Sequence, residues 1–240
     1  MTFLIRAAAV ALLAACTLAP AAQASVLIGG TRVILPAKEG EVTLRLTNEN
    51  DAPALVQAWI DTGDAKSTPD TVDTPFLITP PMFRMEARRD QNLRILYTRE
   101  PLPADRESLF WLNVLDVPPK PADRGPDNSN YLQLAVRSRL KLFFRPEGLQ
   151  GDPLKAPAEL AFHANGGALV VNNPTAFHVT LTDIVLTVGG KSVTVEGGMV
   201  APKSELRLPM TGAASAGTPV SFNAINDFGS PTAFTGTIAP

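Results

Sequence analysis

The chain has 240 residues, of which 45% are hydrophobic and 18% are charged. This composition supports a substantial apolar core in one or two domains and excludes disorder as the main state. The 21 basic and 23 acidic residues leave a formal charge of −2, which argues against a general nucleic-acid binder or a polybasic membrane binder. The 22 prolines, nearly twice the average share of about 5%, occur with abundant Val, Leu and Thr and favour a β-protein.

The first 24 residues have the three parts of a secretory signal peptide. Arg6 supplies the positive charge, residues 7–15 are apolar, and Ala22-Gln23-Ala24 is a small-x-small cleavage site. A membrane span needs about 20 apolar residues, and Pro20 and Gln23 interrupt this stretch. We therefore predict cleavage after Ala24, export of the mature chain and no membrane insertion.

A second processing site overlaps this signal. Leu13-Ala14-Ala15-Cys16 resembles a lipoprotein box, and its use would attach a lipid to Cys16 and tether the chain to a membrane. Cys16 is the only cysteine, so a chain that starts after Ala24 has no disulfide and must be held by its apolar core.

Alternating apolar and polar residues predict short strands along the whole mature chain. Residues 108–117 are apolar on both faces, as expected of a central strand. Turn formers separate the strands, and no segment has sustained helical spacing. The pattern is typical of β-sandwiches. The other predicted strands cover residues 42–46, 55–60, 93–97, 177–182, 192–195, 220–225 and 234–238.

Asp61-Thr62-Gly63 follows an apolar strand, as the catalytic aspartate does in aspartic proteases. That chemistry needs two aspartates that share one proton, and the chain has no second Asp-Thr-Gly. A protease would therefore have to be a homodimer. The adjoining residues 64–66 are typical of a solvated turn, which is the favoured interpretation.

The two histidines, His163 and His178, do not form a metal-binding pattern, since a zinc site usually takes three or four ligands. His178 lies on the polar face of an alternating stretch, which predicts a surface position. The sequence contains no nucleophile elbow or phosphate loop. We expect no catalytic residue, no metal and no cofactor.

A domain boundary is predicted in residues 146–157, where prolines and glycines interrupt the strand pattern. This divides the mature chain into an N-terminal domain over residues 25–148 and a C-terminal domain over residues 149–240. Each has the size of an immunoglobulin-like sandwich.

Residues 131–145 alternate over an unusual length, with one apolar face and one basic face. Extended at about 3.3 Å per residue the segment spans about 50 Å, whereas strands usually have about 5–6 residues. Such a strand would extend beyond a normal sandwich and leave part of its apolar row uncovered. An uncovered row is an aggregation hazard unless another chain pairs with it.

Seven short motifs are spread along essentially the whole mature chain. In chain order they are Thr31-Arg32-Val33-Ile34, Gln57-Ala58-Trp59-Ile60, Thr79-Pro80-Pro81, Asp105-Arg106-Glu107-Ser108-Leu109-Phe110-Trp111, Leu140-Lys141-Leu142-Phe143-Phe144-Arg145-Pro146, Asn173-Pro174-Thr175 and Ile225-Asn226-Asp227-Phe228-Gly229. Taken in this order, they resemble the motifs of the periplasmic chaperones of the chaperone–usher pilus pathway. The resemblance implies an all-β fold of two immunoglobulin-like β-sandwich domains, arranged as an L with an inter-domain cleft.

The resemblance implies two binding elements. Arg32 and Lys141 would anchor the C-terminal carboxylate of a pilus subunit through charge-assisted hydrogen bonds. Leu132, Leu134 and Val136 would be the donor-strand residues that fill the open groove of a subunit. The alternatives are two unrelated surface cations and three ordinary core residues.

The resemblance also implies structural elements. Glu107, Arg145 and Asp227 would form an inter-domain ionic cluster, and Pro80 is the candidate for a cis peptide bond. The polar, moderately long loop of residues 120–130 and the lack of a cysteine pair imply the branch of the family with a short loop before the donor strand (the F1–G1 loop).

The predicted function is that of a non-enzymatic periplasmic chaperone. It would bind, fold and cap pilus (fimbrial) subunits by donor-strand complementation and deliver them to an outer-membrane usher. Its partners would be the subunits, the usher and, when it is free, other copies of itself. The alternative is a two-domain immunoglobulin-like secreted adhesin or surface protein, which would lack the cleft cations and the overhanging apolar row.

Overall fold

The computed structural model describes residues 26–120 and 133–240, and these ranges consist mainly of β-strands. Two short 3₁₀ helices lie at Pro69–Thr71 and Ala156–Glu159. Within the described ranges, no helix has the length and apolar character needed to cross a membrane.

The strands of the N-terminal half are β1 (Val26–Ile28), β2 (Arg32–Pro36), β3 (Glu41–Asn48), β4 (Ala54–Asp61), β5 (Phe76–Thr79), β6 (Met82–Met85), β7 (Asp90–Tyr97), β8 (Ser108–Val117) and β9 (Val136–Arg145). Those of the C-terminal half are β10 (Ala161–Ala164), β11 (Ala168–Asn173), β12 (Val179–Val188), β13 (Lys191–Val195), β14 (Gly198–Val200), β15 (Ser204–Pro209), β16 (Pro219–Ile225) and β17 (Pro231–Thr237).

The N-terminal half forms a sandwich of two sheets. One sheet has the order β1-β3-β7-β5 and the other has the order β2-β9-β8-β4-β6. The second sheet is antiparallel except that β2 runs parallel to β9. Alternate residues of the strands meet between the sheets, as expected of a sandwich core. Fully buried members of this core are Leu35, Leu46, Val56, Leu93, Ile95, Leu112 and Leu142.

The C-terminal half forms a second sandwich. Its sheets have the orders β10-β11-β15 and β13-β12-β16-β17, and β14 also pairs with β12. This sandwich has its own core, which is centred on Phe162, Leu169, Leu181, Ile184 and Leu186. The chain is therefore an all-β protein of two immunoglobulin-like sandwiches, which confirms the predicted fold class.

Each strand predicted from alternation overlaps an observed strand, and the prediction for residues 108–117 coincides with β8. Phe177, Val179 and Leu181 are all buried, as their alternation predicts. The strand at this position begins later than predicted, at Val179. The peptide bond between Thr79 and Pro80 is cis.

The strand predicted over residues 131–145 is shorter in the structure. It begins at Val136, which faces Asp116 near the end of β8. Residues 133–135 have no strand pairing, because β8 offers no ladder beyond this point and an extended backbone needs a neighbour for its hydrogen bonds. Residues 131–132 lie outside the described residues. The prediction of a continuous fifteen-residue strand in the free protein is therefore wrong.

Candidate functional site

Two cations lie side by side where the sandwiches meet. Arg32 begins β2, and Lys141 lies in β9 directly beside it in the parallel register. Their neighbours Val33 and Leu142 are buried in the N-terminal core. Because side chains alternate across a strand, Arg32 and Lys141 point away from this core, toward the second sandwich.

The guanidinium of Arg32 contacts both sandwiches. Its Nη1 donates a hydrogen bond to the carbonyl oxygen of Ile225 at 3.0 Å, and its Cζ lies 5.9 Å from the ring centre of Phe143. Its buried Nε has no hydrogen-bond partner among the described residues. Burial lowers the pKa of Arg32, and the charges of Asp227 and Glu107 offset this only in part.

The ammonium of Lys141 is also partly buried. Its Nζ donates to Thr180 Oγ1 at 3.2 Å. Burial and the positive charge of Arg32 lower the pKa of Lys141. Within the described ranges, neither cation forms an ion pair. Two adjacent, partly desolvated cations that form no ion pair with a described residue are suited to bind a carboxylate. Thr180 is a contact that the sequence did not identify, although the alternation of residues 177–182 places it on the polar face.

Arg145 joins the two sandwiches through two carboxylates. Its Nε donates to Glu107 Oε1 at 2.8 Å, and its Nη1 donates to Asp227 Oδ2 at 2.8 Å. Burial lowers the pKa of Arg145, but the hydrogen bonds and charges of these carboxylates raise it more. The three residues that the sequence grouped as an inter-domain cluster are in direct contact.

His178 extends this cluster, and the predicted surface position is wrong. Its side chain is only 6% exposed and its Nδ1 lies 3.2 Å from Glu107 Oε2. Its backbone N–H donates to the same oxygen at 2.9 Å, and its ring packs against Phe143. The polar face of this segment faces the other sandwich instead of water, which a local pattern does not reveal. His178, Arg32 and Glu107 line an inter-domain cavity of about 220 Å³.

Glu107→Gln is expected to lower the free energy of unfolding by about 1.5–3 kcal/mol, the usual contribution of a hydrogen bond to a charged group. The carboxylate is 2% exposed and accepts from both Arg145 and His178. The matched control is Asp105→Asn, because Asp105 forms an exposed inter-domain pair with Lys203. Exposed pairs contribute about 0–1 kcal/mol. Equal losses for the two variants in urea titrations would contradict the structural role of Glu107.

The predicted donor residues in the described ranges are exposed. Leu134 is 65% exposed and Val136 is 54% exposed, so neither is a core residue. Leu132 lies outside the described residues. β9 pairs with β8 from Val136 to Phe144, but β2 joins it only from Lys141 onward. Residues 136–140, here called the free edge of β9, therefore have one strand neighbour among the described residues.

Asp61 of the Asp61-Thr62-Gly63 motif is 1% exposed, and both of its carboxylate oxygens accept hydrogen bonds from neighbouring side chains or backbone. Residues 64–66 are exposed, as predicted for a turn. Among the residues that the structure describes, no cluster of His, Cys, Asp or Glu could hold a metal ion.

Comparison with known proteins identifies the class to which this fold and site belong. The model of the N-terminal domain of PapD, described as a pili and flagellar-assembly chaperone, matches residues 25–150. The model of the C-terminal domain of PapD, a pili assembly chaperone, matches residues 155–235. The chain therefore belongs to the PapD family of pilus-assembly chaperones, which confirms the resemblance found in the sequence.

Individual relatives are similar over nearly their whole length. The chaperone protein FimB/FhaD of Bordetella pertussis is 48% identical over 230 residues, which cover 93% of this chain and 92% of that protein. YadV is the name of a probable fimbrial chaperone of Escherichia coli. The crystal structure of the YadV chaperone shows 40% sequence identity to this chain and a TM-score of 0.76, and the match covers 90% of this chain and 100% of the YadV chain. The SafB chaperone in complex with the Salmonella enterica SafA pilin has 35% identity and a TM-score of 0.75, over 91% of this chain and 99% of the matched chain.

Proposed function

We propose that this protein is a periplasmic chaperone that captures pilus subunits by donor-strand complementation. The observation that carries the proposal is the position of Arg32 and Lys141, two cations without an ion-pair partner in the described ranges, at one end of the free edge of β9, whose other end begins at the exposed Val136. The SafB chaperone in complex with a pilin supports the same role for this chain.

Capture would use the backbone and the side chains of β9 together. A strand of the subunit would pair with the free edge, whose backbone has β8 as its one strand neighbour among the described residues. Leu134 and Val136, with Leu132 before them, would enter the subunit's open groove. The subunit's terminal carboxylate would bind Arg32 and Lys141 and thereby set the register, since a slip of one residue would turn the apolar row outward.

The remaining parts of the proposal follow from the family. The chaperone would hold each subunit until an outer-membrane usher receives it, without an enzymatic step or a cofactor. The inter-domain cluster of Glu107, Arg145 and Asp227 would keep the two cations beside the second sandwich. We also propose the domain division between residues 148 and 149.

Co-expression in a bacterial periplasm with a pilus subunit from the same genome tests the proposal. The tagged chaperone is expected to co-purify with the subunit as a stable complex, and the subunit alone is expected to be degraded or to aggregate. If the chain were instead an adhesin, it would purify without a subunit, and subunit levels would not depend on its presence.

Subunit capture is expected to weaken at alkaline pH. Burial and the charge of Arg32 lower the pKa of Lys141 from its ordinary 10.5, so Lys141 loses its charge at a lower pH than a solvated lysine. A bound carboxylate stabilises the charged form of Lys141, so binding is accompanied by proton uptake at pH values where Lys141 of the free protein is neutral. Affinity measured between about pH 7 and pH 10 should fall for the wild type and stay level for Lys141→Arg, since a guanidinium remains charged. Parallel profiles for the two proteins would refute this assignment.

The mature protein is expected to begin at Ser25. The small-x-small sequence before it is a signal-peptidase site, and cleavage there makes Arg32 the eighth residue of the mature chain. N-terminal sequencing or intact mass of the periplasmic protein checks this. A product that begins at a lipid-modified Cys16 would instead show a membrane-tethered protein.

A further inference from the structure

The outer face of the five-stranded sheet holds a buried carboxylate that the proposed function does not use. Asp61 Oδ1 accepts hydrogen bonds from Arg139 Nη2 and from the backbone N–H of Gly63, both at 2.6 Å. Asp61 Oδ2 accepts from Asn113 Nδ2 at 2.7 Å and from Ser67 Oγ at 3.0 Å. Burial raises the pKa of Asp61, but these hydrogen bonds lower it more, so the carboxylate is ionised at neutral pH.

Two arginines of β9 converge on this carboxylate. Arg139 binds it directly, and Arg137 Nη2 lies 3.8 Å from Asp61 Oδ2. Each guanidinium also stacks on an indole: Arg139 lies 4.4 Å from the ring centre of Trp111, and Arg137 lies 4.6 Å from that of Trp59. An ion pair on one side and an aromatic ring on the other leave each arginine little freedom.

Polar groups of the neighbouring strands complete the network. Arg137 donates to Asn113 Oδ1 from both Nε, at 3.0 Å, and Nη2, at 2.8 Å. Its Nη1 donates to the carbonyl of Ala65 at 2.9 Å. Ser67 Oγ accepts from Trp59 Nε1 at 3.2 Å while it donates to Asp61. The network thus ties β9 to β8, to β4 and to the turn that follows β4.

Both arginines lie on the free edge of β9, the part with a single strand neighbour. Segments with few backbone partners open at low free-energy cost. From Lys141 onward β2 supplies a second neighbour, but residues 136–140 depend on β8 and on the side-chain network. The side-chain network around Asp61 therefore adds contacts that join the free edge to the sheet, in the part of β9 that β2 does not reach.

We propose that Asp61 is a positioning residue for subunit capture. Through Arg139 and Arg137 it holds the free edge in the extended conformation that an incoming strand must meet. The inference rests on the proposed function, because it assigns the network to subunit binding. An edge that is already ordered reduces the ordering cost of association, so the effect falls mainly on the association rate.

The first test uses the free protein. Asp61→Asn keeps the size of the side chain but removes its charge. Hydrogen exchange of residues 136–140 is expected to become about tenfold faster, the effect of losing one charge-assisted hydrogen bond, while residues 141–145 exchange as before. The chain has two tryptophans, both stacked under these arginines, so intrinsic fluorescence should change as well. Asp90→Asn is the matched control, because it removes an Arg–Asp pair with Arg45 on the other sheet and should change neither signal.

The second test measures subunit binding by stopped flow. Asp61→Asn is expected to lower the association rate constant about tenfold and to change the dissociation rate little. Arg139→Gln, which leaves the carboxylate in place, should act in the same direction and provides an independent variant if Asp61→Asn fails to fold.

Unchanged exchange and fluorescence in both variants would overturn the inference, and so would faster exchange with an unchanged association rate. A wild-type protein that captured no subunit would overturn the proposed function and this inference with it. If the wild type captured subunits normally and both variants matched it in hydrogen exchange, fluorescence and association rate, this inference alone would be overturned.

Discussion

Lys141→Ala is expected to weaken subunit capture by about 2–5 kcal/mol, the usual cost of removing one partner of a buried charge pair. The melting temperature of the free protein should hardly change. In the part of the chain that the structure describes, Lys141 forms no ion pair, and its burial already disfavours the charged form. Its charge therefore contributes little to folding and is available for binding.

Calorimetric melting and subunit affinity should be measured on the same preparation of this variant. Arg32→Ala should act in the same direction, since the two cations are neighbours across β2 and β9. Lys155→Ala is the control, because that lysine side chain is 80% exposed, and it should bind like the wild type. Wild-type affinity for Lys141→Ala would show that no carboxylate is anchored there.

Leu134→Asp is expected to abolish subunit capture and to leave the melting temperature within a few degrees of the wild-type value. The side chain is 65% exposed in the free protein, so the new carboxylate stays in water and costs the fold little. In the complex the same carboxylate would be buried in an apolar groove without a partner, which is strongly unfavourable. Self-association of the free protein should also fall, because the variant removes part of an exposed apolar row.

Two further variants make this result specific. Leu77→Asp changes a leucine of nearly equal exposure, 63%, on the edge strand β5 of the other sheet, and it should melt and bind like the wild type. Leu142→Asp places the charge in the core, where the side chain is 0% exposed, and should unfold the domain. A collapsed melting curve for Leu134→Asp, or normal melting with normal capture, would contradict the donor assignment.

Several strands were predictable because the local pattern of apolar residues reports which faces are buried. β3 was found from the alternation of residues 42–46, and β8 from a ten-residue run that is apolar on both faces. The cations, too, could be located from short motifs. β5 and β10 escaped prediction because each has four residues, too few to show a period of two.

Other features depend on contacts between distant segments. Alternation places His178 on a polar face, but the second sandwich covers that face and buries the side chain against Glu107. Alternation continues through residues 133–135, but no neighbouring strand pairs with them in the free protein. Asp61 follows a recognisable strand, yet its role depends on Arg137 and Arg139, which are more than 70 residues away in sequence. A local pattern indicates which face of a strand a side chain lies on, but its contacts depend on how distant segments pack in the tertiary structure.

Hydrogen exchange of residues 133–140, compared between the free protein and its subunit complex, tests donor-strand capture most directly. Among the residues that the structure describes, the backbone of residues 133–135 has no strand partner, and the free edge has one, β8. Donor-strand complementation predicts that exchange in this stretch slows by about 100-fold or more on binding, while the edge strands β13 and β17 of the C-terminal sandwich exchange as before. A stable complex in which residues 133–140 exchange as fast as in the free protein would contradict donor-strand capture.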